Sequence, residues 1–268
     1  MNPTANGTLS FMPTERDSNA WDGEDRRKLA ATRVQLSSQV ERTSEDILQR
    51  YRENKNWKLY QKEWIYRNLF TKGMEVLDFG CGTGQITSQL AALGAKKVYG
   101  VDVTQGLLDV TAQRCEQDGV SDRVEVICDF IQNIEPRPVD LVIAFAVLHH
   151  CHPIPALLPQ LLKWLRPSGT FVCVEPIVYF DGLEKARVAS GVPFEPLDEG
   201  ERKLDSRDLD YVSSCLDSPE RVHFRLLGRA DRWLPDRPLR RIDHLLLKIP
   251  GMSNFAGGIL LHGKKKHV

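Results

Sequence analysis

The run Asp78-Phe79-Gly80-Cys81-Gly82-Thr83-Gly84 holds the residues best suited to chemistry. Alternate glycines let the backbone turn sharply, adopt positive φ and admit a ligand at close range. Where a helix follows directly, its first N–H groups can receive a carboxylate or a phosphate. Alone, such a loop fits a dinucleotide, another nucleoside ligand or a plain turn. Two acids narrow the choice. Asp102 stands 22 residues after Gly80, where a carboxylate ending a second strand accepts bonds from both ribose hydroxyls. Asp129 follows a third apolar run and can take the exocyclic amine of an adenine, with Phe130 covering the ring.

These residues need elements to hold them. Met74–Phe79 is a short apolar run ending in glycines, which predicts a buried strand. A helix is expected from Gln85 to about Ala92, and strands over 97–101, 124–127, 141–144 and 170–174. Helices are expected over 104–117, with Leu107, Leu108, Val110 and Thr111 on the packed side, and over 154–165 before Arg166-Pro167-Ser168-Gly169. Strand and helix alternate, which predicts a parallel, doubly wound α/β sheet with the ligand outside the carboxyl ends of its strands. Before the first strand, Tyr60, Trp64 and Ile65 recur at helical steps. After the fifth strand, a helix is expected near Ser206 as N-cap, then strands over 221–227 and 255–262. The expected organisation is a mobile tail over 1–25, an N-terminal helical cap over 26–72 and a catalytic domain over 73–268. Cap insertions fall at about 176–215 and 228–250.

Composition excludes several classes. The chain has 268 residues, with 36 basic and 36 acidic side chains, so no global field draws it to nucleic acid. No apolar run is long enough for a membrane span, and residues 1–30 show no secretory pattern. The six cysteines are scattered without a C-x-x-C pair, as reduced core thiols in a cytoplasmic protein would be.

The set Val76–Gly84, Val98–Asp102, Cys128-Asp129-Phe130, Asp140–Ile143, Val147–His150 and Leu165–Gly169 resembles the class I S-adenosylmethionine-dependent methyltransferases, in that family's order. The resemblance implies a Rossmann-like sheet of seven strands, mostly parallel with an antiparallel last strand. It implies S-adenosyl-L-methionine as cofactor, held by Asp78, Gly80, Cys81, Gly82, Asp102, Val103, Asp129, Phe130 and Phe145. The methionine part faces the glycine loop, Asp78 orients that loop or meets the amino group, and Asp102 takes the ribose. One departure separates the loop from a nicotinamide site: Gln85 stands where G-x-G-x-x-G has its third glycine. An NAD-dependent oxidoreductase and a non-catalytic, partner-binding member of the fold are the remote alternatives.

Methyl transfer from a sulfonium needs alignment and dryness, and a base where the nucleophile is a hydroxyl. His149, His150 and Glu175 lie at the mouth of the expected sheet and resemble the pairing in some natural-product O-methyltransferases. Such a histidine can also merely shape a pocket. Four consecutive residues, His149 to His152, cannot converge on one ion, so no metal is expected. The expected acceptor is a small molecule in natural-product or sugar-linked metabolism, methylated on oxygen. The alternative is carbon or nitrogen methylation of a lipid-like or quinone-type acceptor. Segment 220–248 has eight basic against four acidic residues, a net of plus four. Leu239, Ile242, Leu245, Leu246 and Ile249 follow helical steps there. It reads as a packed amphipathic helix, as a basic lid, or as a peripheral lipid contact. Trp57, Tyr60, Trp64, Tyr179 and Phe180 are candidates to line an apolar pocket.

Overall fold

A computed structural model describes residues 57–179, 202–227 and 236–266, together with Gly182. The expected tail, the first part of the cap, most of the 176–215 insertion and Phe180 lie outside the described residues. Seven strands form one sheet: β1 Glu75–Phe79, β2 Lys97–Asp102, β3 Val124–Cys128, β4 Val139–Phe145, β5 Leu165–Pro176, β6 Leu216–Phe224 and β7 Gly258–Lys265. Six α-helices are described: α1 Trp57–Asn68, α2 Gln85–Ala92, α3 Gln105–Gln117, α4 Ile154–Lys163, α5 Ser206–Ser214 and α6 Asp236–Leu247.

The strand order is β3-β2-β1-β4-β5-β7-β6. β1 to β5 pair in parallel, while β7 runs antiparallel to both β5 and β6. The expected mixed sheet is therefore the observed one. The winding reverses between β1 and β4, so the crevice for a ligand opens at their carboxyl ends.

Successive strand residues point to opposite faces, and both faces here are covered. Leu77, Val142, Ala144, Phe171 and Cys173 pack beneath α4 and α5, against Leu157, Leu161, Leu209 and Val212. Val76, Leu141, Ile143, Val172 and Val174 pack on the other side, with Ile65 of α1 and Ile86 and Leu90 of α2. This double burial explains the unbroken apolar runs.

Several expected boundaries move. The cap of α5 is Asp205, not Ser206: its carboxylate accepts from the N–H groups of Arg207 and Asp208, and Asp208 returns the bond to Asp205. β6 begins at Leu216 rather than 221, because an irregularity between Asp217 and Glu220 lets a polar stretch join the sheet. β7 lies three residues later than expected, which puts Phe255 in a short turn before it. Cys128 is exposed, so not every thiol belongs to the core; Cys115, Cys151 and Cys173 are buried.

Candidate functional site

The glycine loop leaves β1 at Phe79 and enters α2 at Gln85, with Gly80, Gly82 and Gly84 all at positive φ. A Cβ on Gly80 would stand 2.3 Å from Val147 Cγ2, and one on Gly84 would stand 2.5 Å from Thr111 Cγ2. These two glycines are needed for packing. Gly82 differs: nothing lies within 4 Å of its Cβ position. That open space, bounded by backbone, is where a ligand can approach.

The protein braces this loop from three sides. Asp102 ends β2 and accepts the Gly82 N–H on Oδ2 at 2.9 Å and the Thr104 N–H on Oδ1 at 3.0 Å. From α3, Thr111 donates to the Gly82 carbonyl at 2.8 Å and Arg114 to the Thr83 carbonyl at 2.9 Å. Asp78, fully buried below, accepts from Thr87 Oγ1 at 2.6 Å. Burial pushes its carboxyl up to about 6, opposed by the Thr87 bond and by the charge of Lys62.

Lys62 escaped the sequence reading. It sits on α1, buried, with Nζ 2.7 Å from Gln85 Oε1 and 5.2 Å from the centre of the Phe145 ring. Neighbouring Gln61 and Glu63 are buried as well. A helix that hides polar residues gives no amphipathic signal on that side, which is why Lys62 was invisible. Thr111 was visible only as part of the packed side of α3, and Arg114 was not singled out.

On the adjacent rim, Asp102 pairs in register with Cys128, placing Val103, Asp129 and Phe130 beside one another. Cys128 Sγ lies 3.6 Å from the Val103 carbonyl. Asp129 Oδ1 accepts from its neighbour Phe130 N at 2.7 Å and from Asn133 Nδ2 at 2.8 Å. Phe130 is half-buried. Gly82, Asp102 and Phe145 thus stand at the carboxyl ends of β1, β2 and β4, with Asp78 buried beneath the loop and Asp129 and Phe130 following β3.

At the carboxyl end of β4 the chain reverses through Ala146, a non-glycine residue at φ 53. Such backbone is costly for alanine and concentrates at functional sites. The turn brings Val147–His150 back over β5. Glu175 Oε1 accepts from the N–H groups of Val147 at 3.0 Å and Leu148 at 2.8 Å. Its Oε2 lies 2.7 Å from His149 Nδ1, with both side chains buried. His149 and Glu175 therefore form a pair. The rings of His149 and His150 lie side by side, tilted, with their centres 4.0 Å apart. His152 faces elsewhere, 3.4 Å from the Arg202 carbonyl. Among the described residues no group of three metal-ligating side chains converges.

Tyr60 packs edge-on to Phe224, and Trp64 packs against His262. Of the apolar residues of α6, Leu239 is buried, whereas Ile242 and Leu245 are exposed. A cleft of about 500 Å³, lined by Thr71, Met74, Arg166 and Gly169, lies at the opposite end of the sheet. Arg166 there is paired with Glu75 and Asp140.

A family model described as "Methyltransferase domain" matches residues 76–169. The matched stretch begins in β1 and ends in β5, and it contains the glycine loop, Asp102, Asp129 and His149. The chain carries a class I S-adenosylmethionine-dependent methyltransferase domain. Ribosomal protein L11 methyltransferase of Acinetobacter baumannii (strain SDF) is 35% identical over 118 residues, covering 42% of this chain and 38% of that protein. Demethylmenaquinone methyltransferase of Symbiobacterium thermophilum is 30% identical over 124 residues, covering 44% and 49%. The chain thus spans less than half the length of either relative. The fold of the methyltransferase domain extends further than this identity. Magnesium protoporphyrin IX methyltransferase from Synechocystis PCC 6803, solved with bound SAH, superposes with a TM-score of 0.57 at 14% identity, over 94% of this chain and 98% of that one.

Proposed function

We propose that the protein transfers a methyl group from S-adenosyl-L-methionine to a hydroxyl of a small-molecule acceptor, with His149 as the general base. The observation that carries the oxygen assignment is the 2.7 Å contact between His149 Nδ1 and Glu175 Oε2. A carboxylate accepts, so this contact gives Nδ1 the proton and puts the basic lone pair on Nε2, the nitrogen that takes the proton of an acceptor hydroxyl. Glu175 acts as a positioning residue: the two backbone N–H groups on its other oxygen hold the carboxylate, and the carboxylate holds the ring.

The residues present fit the cofactor. Gly82 leaves room at the backbone, Asp102 closes β2 for a ribose, and Phe130 with Asp129 suits an adenine. Lys62 brings a buried cation to the loop, where it suits the carboxylate of an amino acid. The cofactor, when bound, supplies an activated methyl on a sulfonium. The chain's own residues orient the acceptor, exclude water and remove its proton.

Calorimetry with S-adenosylmethionine, S-adenosylhomocysteine and NAD tests the cofactor assignment. Binding of the first two and not NAD is expected; binding of NAD alone, or of nothing, overturns it. Screening hydroxylated acceptors for S-adenosylhomocysteine release tests the oxygen assignment, and turnover confined to amine or carbon acceptors overturns that part.

A further inference from the structure

Helix α6 turns apolar residues outward. Ile242 and Leu245 fall three residues apart on one side and are 40% and 62% exposed, and Ile249, in the turn just after the helix, is 50% exposed. Phe255, in the turn that follows, is 42% exposed. The opposite side buries Leu239 and, unusually, Asp243, whose carboxylate accepts the Leu227 N–H at 2.7 Å. This bond fixes the rotation of the helix, so the apolar side is held outward.

The charges around that side share one sign. From Pro238 to Phe255 the only acid is Asp243, and it is buried. Arg241 and Lys248 are exposed. Arg240 lies 4.8 Å from the centre of the Tyr60 ring and ties α6 to α1. Leu227 follows the carboxyl end of β6, which runs in the same direction as β1, so its bond to Asp243 holds α6 toward the end of the sheet that carries the glycine loop.

We propose that this face docks on an anionic lipid bilayer, with α6 lying in the interfacial plane. Ile242, Leu245, Ile249 and Phe255 enter the boundary between headgroups and acyl chains, while Arg241 and Lys248 meet lipid phosphates. Charge complementarity selects this occupant. A second copy of the chain, related by a twofold axis through this face, would set the same cations against one another, with no exposed acid between Pro238 and Phe255 to pair them. The inference concerns binding alone and does not depend on turnover.

The test is sedimentation of the full chain with phosphatidylglycerol vesicles and with phosphatidylcholine vesicles. Binding to the first and not the second is expected. Ile242→Ser with Leu245→Ser, and separately Arg241→Glu with Lys248→Glu, are each expected to lower the bound fraction about tenfold or more. Melting temperature and S-adenosylhomocysteine affinity should stay at the parent values. No binding by the parent chain, equal binding to both vesicles, or binding unmoved by either variant overturns the proposal. So does a parent dimer that Ile242→Ser with Leu245→Ser dissociates without any vesicle binding, since the occupant is then a second copy.

Discussion

Val147 packs against Gly80 so closely that a Cβ on that glycine would lie 2.3 Å from Val147 Cγ2, and the same Val147 donates its N–H to Glu175. The loop after β1 and the turn after β4 are therefore one piece of packing. The face offered to a cofactor and the pair proposed to act on an acceptor share a wall.

Gly80→Ala and Gly82→Ala should therefore fail in different ways. At Gly80 the substitution adds overpacking to a left-handed backbone, a cost of about 3 kcal/mol, and it displaces Val147. Melting temperature should drop and turnover should fall with it. At Gly82 only the backbone cost of about 1 kcal/mol applies, because the Cβ meets no protein atom. The new methyl instead occupies ligand space, so S-adenosylhomocysteine affinity should fall tenfold or more by calorimetry. Equal affinities for the parent and Gly82→Ala would show that the ligand does not approach this backbone.

His149→Ala should lower kcat by about 10²- to 10⁴-fold while leaving S-adenosylhomocysteine affinity within twofold. Glu175→Gln keeps an oxygen for the Val147 and Leu148 N–H groups but can turn an amide toward the ring. It then favours the tautomer with the proton on Nε2, so kcat should fall and the pH–rate profile should lose its basic-form dependence. Turnover by His149→Ala at the parent rate would reduce the pair to a shaping role.

The parallel core was legible because strands buried on both faces read as continuous apolar runs, as in Leu141–Ala144 and Phe171–Val174. The glycine loop and Asp102 were legible because their chemistry demands specific residue types at a fixed spacing. The partnership of His149 with Glu175 was only half visible: the two are 26 positions apart, and nothing local tells which of two adjacent histidines turns toward β5. α6 stayed open to several readings for a physical reason. Its apolar spacing suits a packed helix or a lipid-facing one, and the buried Asp243–Leu227 bond, invisible in the sequence, goes with Leu239 inward and Ile242 and Leu245 outward. Buried polar groups such as Lys62 and Asp243 override periodicity, because each must find its partner before the apolar surface can choose a side.

Lys62→Met should weaken S-adenosylmethionine binding by roughly tenfold, the worth of one charge-assisted bond, with little change in kcat. Lys62→Arg should recover part of the loss. The comparison is made by calorimetry and by separating kcat from KM. A fall in kcat at unchanged affinity would place Lys62 on the acceptor side of the crevice instead. Because the Lys62 charge also lowers the Asp78 carboxyl, the methionine variant should titrate that acid at higher pH than the parent does.

Asp78 carries a stability cost that its position explains. Its carboxyl is held at about 6 in the fold, chiefly by burial, against about 4 in the unfolded chain. Between those values the folded chain keeps a proton that the unfolded chain has lost, so stability decreases as pH rises. The contribution is whole below about pH 4 and is lost as pH passes about 6, amounting to about 3 kcal/mol. Asp78→Asn can still accept the Thr87 hydroxyl and has no charge to bury. Its melting temperature should exceed that of the parent at pH 8, and the gap should close toward pH 4. The same variant should bind S-adenosylhomocysteine more weakly at pH 8, where the parent carboxylate is charged. A stability gap independent of pH would mean that the acid does not titrate in this range, and an unchanged affinity would mean that its charge serves only the loop.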